Sequence, residues 1–107
     1  MAARRLLSAR RLIRAPAVRQ FHELPEDVEM LRDVVRSFAD NELAPSAFRT
    51  DKEHRYPKEQ IDQMIEMGLM GINTSEDHDG AGMSALAYAV ACEEVSRGCA
   101  TAGVVMR

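Results

Sequence analysis

The 107-residue chain lacks most of the features that announce a function. No run approaches the roughly 18 apolar residues of a membrane-spanning helix, which argues against an integral membrane protein. No β-type alternation of useful length and no internal repeat occur. The two cysteines, Cys92 and Cys99, are seven apart rather than a C-x-x-C pair, and read as buried thiols. His22, His54 and His78 stand far apart, so none has a second metal ligand at helical spacing. The first 22 residues contain no acid at all.

That last absence exposes a charge asymmetry. Residues 1–22 hold six arginines and carry +6, whereas residues 23–107 hold eight basic groups against all seventeen acids and carry −9. An acidic body is a poor nucleic-acid binder, because that affinity comes from Lys and Arg neutralising phosphates. The leader, MAARRLLSARRLIRAPAVRQFH, intersperses Leu6, Leu7, Leu12 and Ile13 among its arginines. This is the composition of a mitochondrial presequence, with a processing site near Phe21 after Arg19-Gln20. A basic tail for acidic surfaces is the plainer alternative. With 46% apolar and 29% charged residues, the remainder is ordinary globular usage for one small domain.

Residues 23–107 read as all-α. Val28, Leu31, Val35 and Phe38 recur at spacings of three and four, with Leu43 closing the run, behind Pro25 and an acidic first turn. Pro45 predicts a break or kink, after which 46–56 has room for a further helical turn or two. Pro57 opens a second helix with Ile61, Met64, Ile65 and Leu69 on one face, and Gly68 and Gly71 stop it. Residues 73–84 form a loop. Ser84 then caps a third helix, ALAYAVACEEVSR, which Gly98 ends. Its apolar residues fall on nearly every side, so burial on all faces is expected. The run CATAGVVM begins another buried helix. About 85 residues offer too little partner surface for so much apolar area, and the pattern reads as a piece of something larger.

Chemical motifs are few. Gly80-Ala81-Gly82 lacks the preceding strand and third glycine of a dinucleotide loop and reads as a turn. A calcium loop with Gly80 sixth would run from Ser75 to Leu86, and leucine cannot supply the bidentate acid. Glu93-Glu94 after an apolar face could be a perturbed acid, but pairing with Arg97 is the commoner arrangement.

The segments Asp51–Ile72 and Glu76–Met106 resemble the acyl-CoA dehydrogenases, and among them the short-chain members. The likeness rests on Asp51-Lys52-Glu53-His54, on Gly68-Leu69-Met70-Gly71, on Gly80-Ala81-Gly82, and on the Tyr88-to-Ala100 helix with its Glu-Glu-x-Ser-Arg-Gly-Cys-Ala ending. It covers residues of about 24 to 106. Where that family usually has Pro-Glu-x-x-Gly-Gly-x-Gly, this chain has Ser75 to Gly82, with a proline and one glycine replaced.

The resemblance implies an FAD enzyme of mitochondrial matrix β-oxidation. It would dehydrogenate short-chain acyl-CoA to trans-2-enoyl-CoA, donate to electron-transferring flavoprotein, and assemble as a homotetramer. It also implies that residues 23–107 are the N-terminal helical domain alone, cut short at its C-terminus. The catalytic glutamate then lies in a domain outside this chain, so Glu59, Glu66, Glu93 and Glu94 are not assigned that role and no catalytic residue or metal ligand is expected here. In that family the helix corresponding to the run CATAGVVM borders the acyl cavity, which makes Ala100, Gly103 and Val104 candidate pocket residues, with close helix–helix packing the equal alternative for such small side chains. The competing reading is a non-catalytic helical module docking on full-length subunits. A metal or redox sensor resting on Cys92, Cys99 and His78 has less support.

Overall fold

The computed structural model describes residues 23–107, and the leader expectation and His22 lie outside them. Helix α1 spans Glu26–Phe38, with Pro25 at its N-cap and Glu26, Asp27 and Glu29 in the turn where the helix dipole favours acids. It buries Val28, Val35 and Phe38.

Pro45 does not interrupt the helical backbone. The residues Ala39–Leu43 form a π-type turn, and helix α2, Ala44–Glu53, follows directly with Pro45 in its first turn. Proline offers no N–H, and its ring presses on the carbonyl four residues back, that of Asn41. A widened turn ahead of it relieves both conflicts. The helical run therefore continues from Glu26 to Glu53, and the eight residues of helix after Pro45 are the one or two further turns expected there. His54 ends α2 in the left-handed region at φ 51°.

Helix α3, Lys58–Glu66, buries Ile61 and Met64. Ile65, expected on the same face, is 56% exposed. The packed sector is set by Pro57, Ile61 and Met64, so Ile65 lies past its edge. Gly68, at φ 75°, turns the chain, and the core leucine arrives from a short 3₁₀ turn, Leu69–Gly71.

The loop that follows is tight despite the residues it lacks relative to the family pattern. Met83 and Gly82 donate to the carbonyls of Ile72 and Thr74, each at 2.8 Å, and Ala81 donates to that of Gly71 at 2.9 Å. Gly80 sits directly on the Thr74 backbone, where a β-carbon would clash. The Gly-Ala-Gly segment is thus a turn whose N–H groups are already occupied, which leaves it unable to cradle phosphate.

Helix α4, Ala85–Gly98, starts at Ser84, whose Oγ accepts from the Ala87 N–H at 3.2 Å. It buries Ala87, Val90, Ala91, Glu94, Val95 and Gly98 against α1 and the π-type turn. Gly98 is required there, because an added β-carbon would lie 2.9 Å from the Ala39 Cβ and 3.0 Å from its carbonyl. Burial on all faces is not observed: Leu86 is 45% exposed and Ala89 is open. Among the described residues α1, the π-type turn and α5 are what packs on α4, and they cover one side. Helix α5, Ala100–Met106, follows the extended Cys99 and folds back on α4. Its Ala102, Gly103 and Met106 are buried. The described residues hold helices and turns and no strand.

Replacing Ser84 with alanine removes the acceptor at the start of α4. The expected cost is ~1 kcal/mol. Urea denaturation should show it as a lower midpoint with an unchanged slope.

Candidate functional site

The densest polar arrangement lies where α1 crosses the last two turns of α4. Glu94, on the packed side of α4, is 4% exposed. Arg36, from the last turn of α1, grips it with both ends of its guanidinium, Nη2 to Oε1 at 2.5 Å and Nε to Oε2 at 3.1 Å. Arg97, one turn on, donates Nε to Glu94 Oε2 at 3.0 Å and Nη2 to Asp40 Oδ1 at 2.8 Å. Cation, acid, cation and acid therefore alternate across the crossing.

The electrostatics follow. The Arg36 hydrogen bonds, with those of Arg97, outweigh burial and hold the Glu94 carboxyl below the usual range. A base for carbon-acid chemistry needs the opposite, a carboxylate raised by burial with a free oxygen. Glu94 is thus a structural tie. Glu93 beside it is exposed. The i,i+3 pairing with Arg97 was legible in the sequence, whereas Arg36, fifty-eight residues away, was not.

A groove of about 700 Å³ runs beside this tie, lined by Glu23, Leu24, Glu29, Arg32, Arg36, Val90, Glu93 and Glu94. Six of those eight side chains are charged, whereas a flavin ring needs flat, mostly apolar walls. The groove does not fit a flavin.

The three candidate pocket residues on α5 are not equivalent. Gly103 is buried against α4, where a β-carbon would clash with the Ser96 Oγ and lie 2.9 Å from its Cβ and 3.0 Å from its Cα. Its smallness serves close helix packing. Ala100 and Val104 lie one turn apart on the outer side, and Val104 is 65% exposed. Tyr88 steadies this hairpin by donating its hydroxyl to the Met106 carbonyl at 3.3 Å. Cys99 is buried and Cys92 partly so. Among the described residues no three His, Cys, Asp or Glu side chains come together as a metal-binding set.

Comparison with known proteins matches residues 25–107 to the acyl-CoA dehydrogenase N-terminal domain. The chain belongs to the acyl-CoA dehydrogenase family. Short-chain specific acyl-CoA dehydrogenase, mitochondrial, from Bos taurus is 52% identical over 93 residues, which cover 87% of this chain and 23% of that protein. The protein of the same description from Rattus norvegicus is 48% identical over 102 residues, covering 95% and 25%. A solved structure described as the electron transferring flavoprotein of Acidaminococcus fermentans, bearing on flavin-based electron bifurcation, contains a chain that superposes with a TM-score of 0.74. It is 35% identical, over 79% of this chain and 22% of that one. This acyl-CoA dehydrogenase domain thus spans about a quarter of the length of these relatives.

The lowered Glu94 pKa fixes the sign of a pH effect. The tie contributes its full stability above the ordinary carboxylate range and loses it as pH falls through the depressed folded-state value. Glu94→Gln should cost ~1–3 kcal/mol near neutrality, as charged hydrogen bonds to a buried acceptor are lost. That penalty should shrink as the pH is lowered toward the folded-state value, where both forms are neutral. Thermal melts of the two proteins across that range check both statements.

Proposed function

We propose that residues 23–107 are the N-terminal helical domain of an FAD-dependent, short-chain acyl-CoA dehydrogenase of the mitochondrial matrix. The reading covers dehydrogenation of short-chain acyl-CoA to trans-2-enoyl-CoA, with electrons passing to electron-transferring flavoprotein and the complete enzyme forming a homotetramer. The observation that carries it is the match of 25–107 to this domain, at 52% identity to the bovine short-chain enzyme. FAD, when bound in the complete enzyme, supplies the acceptor for the substrate's β-hydrogen. The charged groove beside Glu94 does not suit the flavin ring, and the buried acid there is committed to two arginines. The contribution of this chain is to pack against the remaining domains and complete the substrate cavity. On its own it is inactive and retains no stoichiometric flavin.

The test is complementation. Residues 23–107 joined to the remaining domains of the bovine relative should yield a yellow protein that oxidises butyryl-CoA, and the 107-residue chain alone should not. A grafted protein that folds and binds flavin yet has no activity on any acyl-CoA overturns the substrate reading.

A second reading has support from the open apolar side chains Leu86, Val104 and Met30. It is a non-catalytic module that docks on full-length dehydrogenase subunits. Size-exclusion with and without a full-length subunit separates the two, since only the module should co-elute with an already complete enzyme.

For matrix delivery, the support is that the rat mitochondrial relative matches over 102 residues, more than the 85 of segment 23–107, so the likeness reaches into the arginine-rich leader. Six arginines favour import, at ~2.3 kcal/mol per charge per 100 mV of membrane potential. Sequencing of organelle-purified protein should find a start near Phe21. An intact Met1 or Ala2 contradicts the leader reading.

Within this reading Ala100 and Val104 are the outer-face residues of α5 available to border the acyl chain, with Gly103 holding the helix in place. In the grafted enzyme, Val104→Phe should lower kcat/KM for longer acyl-CoAs more than for butyryl-CoA, by ~1–3 kcal/mol per excluded methylene. Melting temperature should stay within about 2 °C. An equal loss on every substrate with a large fall in melting temperature assigns Val104 to packing.

A further inference from the structure

One side of α1 has no use in the packing described above. Glu26, Asp27, Met30, Asp33, Val34 and Ser37 fall within one stripe of the helix, and all six are exposed. Met30 and Val34, one turn apart, are 65% and 57% exposed. Acids rim this apolar pair and the stripe contains no lysine or arginine. Asp33 shares Arg32 with Glu29, and Glu26 and Asp27 take part in no ion pair among the described residues. An apolar strip with an acidic border is complementary to a segment that mixes aliphatic side chains with cations.

Such a segment is covalently attached beside it. Residues 1–22 carry six arginines and no acid, with Leu12, Ile13 and Val18 among Arg10, Arg11, Arg14 and Arg19. The join is at Glu23, three residues before α1 begins. The stripe from Glu26 to Ser37 is about 17 Å long at 1.5 Å per residue, well within the maximum span of a 22-residue segment at ~3.3 Å per residue. A short tether makes the encounter intramolecular, at an effective concentration in the millimolar range.

We propose that the leader, residues 1–22, docks back on the acidic and apolar outer stripe of α1. Met30 and Val34 receive its aliphatic side chains, and Glu26, Asp27 and Asp33 receive its arginines. Removal of the leader uncovers the stripe. This inference rests on charge and exposure and is independent of the family's chemistry.

The test uses the full 107-residue chain and its Arg10→Gln, Arg11→Gln, Arg14→Gln, Arg19→Gln variant, which leaves every described residue unchanged. Methyl NMR at about 0.05 M salt should show the Met30 and Val34 signals displaced between the two proteins, with the core Met64 signal unmoved. Raising the salt to about 0.5 M, where screening is short-ranged, should remove more than half of the displacement. The effect should not change on dilution. Coincident Met30 and Val34 signals in the two proteins overturn the proposal. So does a displacement that fades on dilution, since that assigns the leader to a second copy. A salt-insensitive displacement overturns the electrostatic basis.

Discussion

The buried carboxylate of Glu94 is the constraint around which the described residues are organised. It arrives on the packed face of α4 with a charge that water can no longer solvate, and only a geometry that brings two guanidinium groups to it is tolerable. Satisfying it fixes the register of α4 on α1, because Arg36 reaches it from one place along α1. Arg97 then extends the tie to Asp40 at the π-type turn. The same crossing demands Gly98 over Ala39 and Leu43, so charge pairing and steric fit select one arrangement together.

Small residues carry the second half of the assembly. Gly98 admits the π-type turn, Gly103 admits Ser96, and Gly80 admits the Thr74 backbone. In each case the neighbour is backbone or the root of a side chain, which has no room to yield. Helices α4 and α5, the π-type turn and the loop's own backbone are thereby drawn to contact distances that an alanine would forbid. The outer sides of α4 and α5 carry none of this and remain open, with Leu86 and Val104 exposed. A domain that spans about a quarter of its relatives' length has, in the proposed enzyme, the rest of the protein to set against those sides.

The placement of the apolar core was largely legible. Val28, Val35, Phe38, Leu43, Ile61, Met64 and Leu69 were assignable by spacing and all are buried, whereas Leu31 of the same stripe is only partly so. Ser84 as a cap and Gly68 and Gly98 as stops follow from local backbone chemistry, which depends on neighbours in sequence alone. Ile65 was misplaced because a helical stripe is wider than the sector that its partners cover. At Pro45 the helical backbone does not break, because a proline's local conflict can be relieved by a π-type turn, and that relief belongs to the packing around it.

What the sequence determined by itself was therefore most of what has local energy: the helix starts at Pro25, Pro57 and Ser84, the stops at Gly68 and Gly98, the turn at Gly80 to Gly82, the acidic body and the arginine-rich leader. The family likeness was also legible, because it resides in the order of those local signals. Only the tertiary structure decided which partner each side chain meets. It gave Glu94 to Arg36, turned Gly103 inward and Val104 outward on one short helix, and left α4 covered on one side. Those outcomes depend on contacts between residues up to fifty-eight positions apart, and the free energy of such a contact appears only once the helices have been brought together.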